Sequence, residues 1–196
     1  MLYSKYLEKV LGNRTKIVML RAFSRIPEKV WTSRGLAHFL GTYNTTVLDN
    51  LGDLEEMGLL DLGMHGHVKT IKFNRESFVF KEIVKPLFGA ERKTLDILIE
   101  DLKSAVSPKD VSLFALFGSI AEHSERSNSD IDVIIVTENK DKIEKSLEEA
   151  QYSISKKFGN ELSPFVLSPT EFKAKQDTSF IKEAKKNHIV LHGKWL

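Results

Sequence analysis

Residues Val111–Val136 read VSLFALFGSIAEHSERSNSDIDVIIV. Val111–Phe117 is an apolar run of strand length, cut off by Gly118-Ser119. Ile131–Val136 is a second such run, rich in β-branched residues, as strands are. Near-continuous apolar runs predict strands covered on both faces. Two carboxylates, Asp130 and Asp132, nevertheless open the second run. Strand side chains repeat every two residues, so both acids point to one face, roughly 6–7 Å apart at Cα. Like charges so placed repel unless a cation lies between them. Hard oxygen ligands of this kind suit Mg²⁺, with Mn²⁺ as its stand-in, held by one or two carboxylates plus substrate phosphates. Gly118 lets backbone approach a ligand closely, and Ser119 adds a hydroxyl and an N–H at a helix start that attracts phosphate.

A Gly-Ser turn alone says little, and a lone D-x-D is more often a solvated strand end. The combination is narrower. The GS-x(10)-D-I-D pattern, with Ser129 before the first aspartate, resembles the nucleotidyltransferase superfamily that includes DNA polymerase β, the aminoglycoside nucleotidyltransferases and the minimal nucleotidyltransferases. The resemblance implies that Gly118 and Ser119 hold a triphosphate, with Ser129 beside them. It also implies that Asp130 and Asp132 bind two metal ions. Minimal members often carry Arg-Gly where this chain has Glu122-His123, so either a cationic phosphate contact is missing or Arg126 replaces it. The superfamily also places a third carboxylate on the next strand, as base or metal ligand for the attacking hydroxyl. The strand expected at Glu161–Leu167 offers Glu161, while Ser163 on the same face is the alternative occupant of that position. Pro164 within it favours an edge strand.

Upstream, Leu2–Gly12 and Thr15–Ile26 read as amphipathic helices. Thr32 or Ser33 caps a third helix, Arg34–Leu40, ended by Gly41, and Asn44 or Thr45 caps a fourth that runs to about Met57. A strand over Leu59–Leu62, a turn at Gly63-Met64-His65-Gly66 and a strand over Val68–Phe73 follow. This order, with TTVLDNLGDLEEMGLLDL before a glycine-containing turn and VKTIKFN, resembles the winged-helix transcription regulators. The resemblance implies that the fourth helix is a recognition helix for double-stranded DNA. Tyr43, Asn44, Thr45, Thr46 and Asn50 are then its candidate contacts, and His65, His67 and Lys69 those of the wing. Asp49, Asp53, Glu55 and Glu56 on the same helix would weaken phosphate affinity if they faced DNA.

The expected architecture is α+β: a winged helix-turn-helix over 1–75, a helical connector over 76–110 and an α/β nucleotidyltransferase domain with a small mixed sheet over 111–196. The connector reads as two helices, Ser77–Leu87 and Glu91–Val106, with Pro86 and Gly89 at the joint, and as the interface of a homodimer. Downstream, a charged helix over Asp141–Phe158 and a last helix over Ser179–Asn187 precede the closing segment HIVLHGKW. Among 196 residues the net charge is +2, and residues 1–75, with 11 basic and 7 acidic side chains, hold +4. The positive excess lies where nucleic acid would meet it. There is no cysteine, which excludes disulfides and thiolate zinc sites. No apolar run is long enough for a bilayer, so a cytoplasmic protein without a membrane partner is expected.

Three functions remain open at this point. The first is Mg²⁺-dependent transfer of a nucleoside monophosphate from a triphosphate to an acceptor hydroxyl, coupled to DNA binding. The second is a regulator whose nucleotidyltransferase-like domain only senses nucleotide. The third is an antitoxin-like module that acts on a protein partner.

Overall fold

The computed structural model describes residues 7–66 and 68–195. The chain divides into two compact units, 1–93 and 94–196. In the first, α1 (Leu7–Leu11), α2 (Arg14–Arg25), β1 (Trp31–Thr32), α3 (Ser33–Leu40), α4 (Asn44–Glu56), β2 (Leu60–His65) and β3 (Val68–Phe73) follow in order. The local chemistry is explicit. The Asn13 side chain accepts from the Thr15 N–H at 2.8 Å and opens α2. Thr32 accepts from the Gly35 N–H at 3.0 Å and opens α3, which ends at Gly41 in the left-handed region, φ 62°.

The three strands form an antiparallel sheet in the order β1-β3-β2. Helices, a short strand, two more helices and a hairpin make a winged helix-turn-helix. Its core joins Met19, Leu20 and Phe23 of α2 to Leu36 of α3, to Val47, Leu51 and Leu54 of α4, and to Ile71 and Phe73 of β3. Phe23 stacks on Phe73 with centroids 5.7 Å apart. The two-residue β1 is too short to leave a periodic signal, and sequence reasoning did not find it. The wing is also tighter than expected. Pairing continues to His65↔Val68, so Gly63-Met64-His65 belongs to β2 rather than to the turn.

Two helices were expected over Ser77–Leu87 and Glu91–Val106. The structure instead has one uninterrupted helical run, a π turn over Phe80–Val84 continuing into α5 (Lys85–Ala105). Pro86 has no N–H to give a helical ladder. The π turn, closed by Lys85 N–H donating to the Phe80 carbonyl, widens the backbone just ahead of it. The segment read as a connector belongs to both cores: Val79 and Val84 pack in the first unit, Leu98, Leu102 and Val106 in the second.

The second unit carries β4 (Leu113–Phe117), α6 (Gly118–Ala121), β5 (Ile131–Val136), α7 (Lys140–Phe158), β6 (Leu162–Leu167), α8 (Pro169–Lys175), α9 (Ser179–Lys186) and β7 (His188–Gly193). Its four-stranded sheet has the order β6-β5-β4-β7, with β5 and β6 parallel and the other pairs antiparallel. Phe114, Leu116, Val133 and Ile135 pack with Leu98 and Leu102 of α5 and Ile143 and Leu147 of α7. Leu113, Ala115, Ile134 and Val136 pack on the opposite face with Phe172 of α8 and Ile181 of α9. Two covered faces explain why both runs are apolar without alternation. Pro164 lies on the edge strand, where a missing N–H costs no ladder bond. Among the described residues, no helix is long and apolar enough to cross a membrane.

Helix α8 opens with a capping box. Ser168 accepts from the Glu171 N–H at 3.1 Å, and the Glu171 carboxylate accepts from the Ser168 N–H at 2.7 Å. That backbone bond, reinforced by Lys140, lowers the Glu171 pKa from 4.5 to about 2. A depressed carboxylate stabilises the fold fully above its unfolded value and loses that contribution as pH falls through the folded one. The stability gap between the native chain and Glu171→Gln is therefore expected to hold steady above pH 4.5 and to shrink towards pH 2, as read from urea unfolding across that range.

Candidate nucleotide site and recognition helix

At the start of β5, Asp132 is the register partner of Phe117 on one side and of Ser163 on the other. Phe117 is the last residue of β4, so Asp132 meets the turn that begins at Gly118. Gly118 has φ 73°, and a Cβ there would collide with the Asp132 carboxylate. Glycine is thus required twice, by its backbone conformation and by the acid beside it. Asp130 is exposed and Asp132 half-buried. Among the described residues neither acid has a basic ion-pair partner. Burial, and then the Asp130 charge, push the Asp132 pKa up. Asp130 precedes β5 and its charge acts on Asp132; two carboxylates this close, without a paired base among the described residues, are the kind of ligand set a divalent cation takes.

The third acid is placed differently. Ser163 is the residue opposite Asp132 in the β5–β6 ladder. Glu161 is exposed and lies one position before β6, where its carbonyl accepts from the Ile131 N–H at 2.8 Å. Among the described residues, no group of three His, Cys, Asp or Glu side chains that could hold a metal ion forms.

The loop from α6 to β5 is pinned internally. Ser129 Oγ accepts from the Arg126 N–H at 2.9 Å, and the Ser129 N–H donates back to the Arg126 carbonyl at 3.0 Å. Ser129 therefore shapes the approach to Asp130, while the Arg126 side chain is exposed. Asn160 donates to the Ser129 carbonyl at 2.8 Å and steadies the same loop. Sequence reasoning saw Asn160 only as a turn residue, because its partners lie 31 positions away. His123 has φ 55°, the left-handed backbone that glycine adopts without strain. The loop thus keeps a glycine-like bend where the resembled minimal enzymes carry glycine. Glu122 accepts from Asn187 at 3.2 Å. With Phe117, Gly118, Ser119, Phe180, Glu183 and Ala184 it lines a cleft of about 260 Å³. Two acids in that cleft oppose phosphate unless cations accompany it.

In the first unit, Tyr43 and Thr45 are exposed at the start of α4, Tyr43 at 81%, and Asn44 and Thr46 are half-buried. Asn50 was expected among the exposed contacts. It is buried instead, and its amide donates to the Thr46 carbonyl at 2.7 Å one turn back. Asn44 Oδ1 is buried without a hydrogen-bond partner among the described residues. His65 and Lys69 are exposed on the wing. His67 lies outside the described residues. Two of the four acids that threatened DNA affinity are committed within the fold: Asp53 pairs with Lys16 and Glu56 with Lys9 at 2.7 Å.

Comparison with known proteins bears on these two units. The family described as Polymerase beta, Nucleotidyltransferase matches residues 100–194, which hold the mixed sheet and both aspartates. No curated protein matches the chain. Among solved structures, the AntR antimony-specific transcriptional repressor is 21% identical over 45% of this chain and 78% of its own, with a TM-score of 0.35. A toxin-antitoxin with AMP-PNP is 17% identical over 52% and 74%, at 0.34. TrmBL2, an archaeal chromatin protein, is 16% identical over 93% and 73%, at 0.28. All three scores are low, and the functional reading rests on the family match and the site.

An acid whose folded pKa is raised destabilises the fold once pH exceeds its unfolded value, because the unfolded chain ionises first. Asp132→Asn is accordingly expected to raise the melting temperature of the metal-free protein at pH 7, with the gain vanishing below pH 3.8. Differential scanning calorimetry at the two pH values reads this directly. His123→Gly is expected to relieve up to about 1 kcal/mol of backbone strain, seen as a higher urea midpoint at unchanged slope.

Proposed function

We propose that this protein transfers a nucleoside monophosphate from a nucleoside triphosphate to an acceptor hydroxyl, and that its winged helix binds double-stranded DNA. The observation that carries the first half is the Asp130–Asp132 pair, without a basic partner among the described residues, beside a glycine in the left-handed region whose Cβ would meet the Asp132 carboxylate. The family match over residues 100–194 supports it.

Asp130 and Asp132 would hold Mg²⁺ or Mn²⁺. In phosphoryl transfer such ions offset charge on the attacking and leaving oxygens. Gly118 admits the phosphates to the backbone, and Ser119 supplies its N–H and hydroxyl. Ser129, through its bonds to Arg126, holds the loop that presents Asp130, and the exposed Arg126 guanidinium can reach an outer phosphate. Glu161 is the candidate base. The acidic lining from Glu122 and Glu183 makes nucleotide binding depend on the divalent ion.

The second half rests on the exposed start of α4 and on the wing. Tyr43, Thr45 and Thr46 would contact the groove, and Lys69 and His65 the backbone. Because Asp53 and Glu56 are paired with lysines, only Asp49 and Glu55 remain to repel phosphate on that helix.

One observation favours a second reading, in which the domain senses nucleotide without turnover. Ser163, not an acid, stands opposite Asp132. Labelled nucleotides with Mg²⁺ separate the two. Transfer of label to an acceptor, with pyrophosphate released and both lost in Asp130→Ala/Asp132→Ala, supports the enzyme. Turnover that survives the double substitution defeats it. Nucleotide binding that alters DNA affinity without pyrophosphate release establishes the sensor. For the DNA half, Lys69→Ala is expected to weaken binding about evenly across sequences and to lower the salt slope by about one, in titrations from 50 to 200 mM salt.

A further inference from the structure

The face of the sheet that carries Asp132 also carries three phenyl rings. Phe117 is the register partner of Asp132, and Phe165 follows Ser163, the other partner, by two residues on the same strand face. Phe180 comes from α9. Ring centroids lie 5.8 Å apart for Phe117–Phe165, 5.5 Å for Phe117–Phe180 and 4.6 Å for Phe165–Phe180. Phe117 is buried and does core work, but Phe165 and Phe180 keep 39% and 36% of their surface exposed. Paired rings left half-open beside a carboxylate site present a stacking face to a ligand.

We propose that Phe165 and Phe180 form the platform on which the base of the bound nucleotide stacks. The proposal rests on the nucleotide reading of the site above and specifies which part of the substrate is recognised. With phosphates held near Asp130, Asp132 and Gly118, the register runs along β6 from Ser163 to Phe165. That step is roughly 6–7 Å along the strand, which the sugar of a nucleotide spans. Ser163, half-buried beside Asp132, then lies next to that sugar. The neighbouring cleft of about 260 Å³ falls below the roughly 300 Å³ where small-molecule pockets begin, enough for part of a nucleotide and not all of it. Phenyl rings offer π-surface and no donors or acceptors. The platform therefore accepts every base and ranks them by stacking area, purines above pyrimidines. Base-edge discrimination is not built into it.

The test measures binding of ATP, GTP, CTP, UTP and inorganic tripolyphosphate to the full chain with Mn²⁺. Wild-type protein is expected to bind ATP and GTP alike and several-fold more tightly than CTP and UTP. Phe165→Leu/Phe180→Leu keeps apolar bulk against Phe117. It is expected to weaken ATP binding about tenfold while leaving tripolyphosphate binding unchanged. Unchanged ATP affinity in that variant overturns the platform and assigns the rings to packing or to a protein partner. Equal losses for ATP and tripolyphosphate also overturn it, since the damage is then to the phosphate site. If wild-type protein binds tripolyphosphate but gains nothing from a base, the platform fails while the phosphate site stands. If wild-type protein binds neither ligand, the nucleotide reading falls and the platform with it.

Discussion

The Asp132 carboxylate lies against a glycine backbone, next to a second carboxylate, and among the described residues neither has a basic ion-pair partner. Every other feature of the second unit is arranged around that repulsion. The strand behind Asp132 is buried on both faces, so the acid has no freedom to swing away. The turn opposite favours glycine, because its φ of 73° strains any other residue and a Cβ would also push on the Asp132 carboxylate. The loop that delivers Asp130 is held by Ser129, Arg126 and Asn160. A fold that keeps two acids together in this way gives up stability at neutral pH, and binding of a counter-charge returns it. Such a trade is common where ligand binding and not packing determines which residues a strand end carries.

The first unit handles charge by the opposite method. Lys16 is almost fully buried, and its ammonium is shared between Asp53 and the Lys9 carbonyl. Removing either side chain of that pair would strand the other in a poorly solvated place. The pairing draws Asp53 and Glu56 towards α2 and α1 and leaves Asp49, one turn beyond Thr45, as the acid nearest the exposed start of α4. Two acids of α4 in the first unit are thus neutralised by lysines, while the Asp130–Asp132 pair of the second has no basic ion-pair partner among the described residues. This contrast is the physical basis for reading the first as a polyanion-binding surface and the second as a cation and nucleotide site.

Much of this was legible from residue order. The apolar runs of β4 and β5, the Gly-Ser break and the same-face aspartates depend only on strand period. The cap at Thr32 depends only on local hydrogen bonding, and Pro164 pointed to an edge strand. Other features depend on residues far apart in the chain. Trp31–Thr32 is a strand only because β3 lies beside it. The run through Pro86 is continuous only because a π turn forms ahead of it. Asn50 follows the polar pattern of an exposed helix face, yet its amide is buried and bonded to its own helix.

Sequence alone determined where most backbone segments could form a helix, strand or turn, because propensity, capping and side-chain period act over a few residues. It also determined that Asp130 and Asp132 share a face. Only the tertiary structure decided what stands next to them. Strand register chose Ser163 over Glu161 as the neighbour of Asp132, and the docking of α9 brought Phe180 to Phe165. Register and helix docking are set by how whole faces fit together, and no stretch of the chain carries that information by itself.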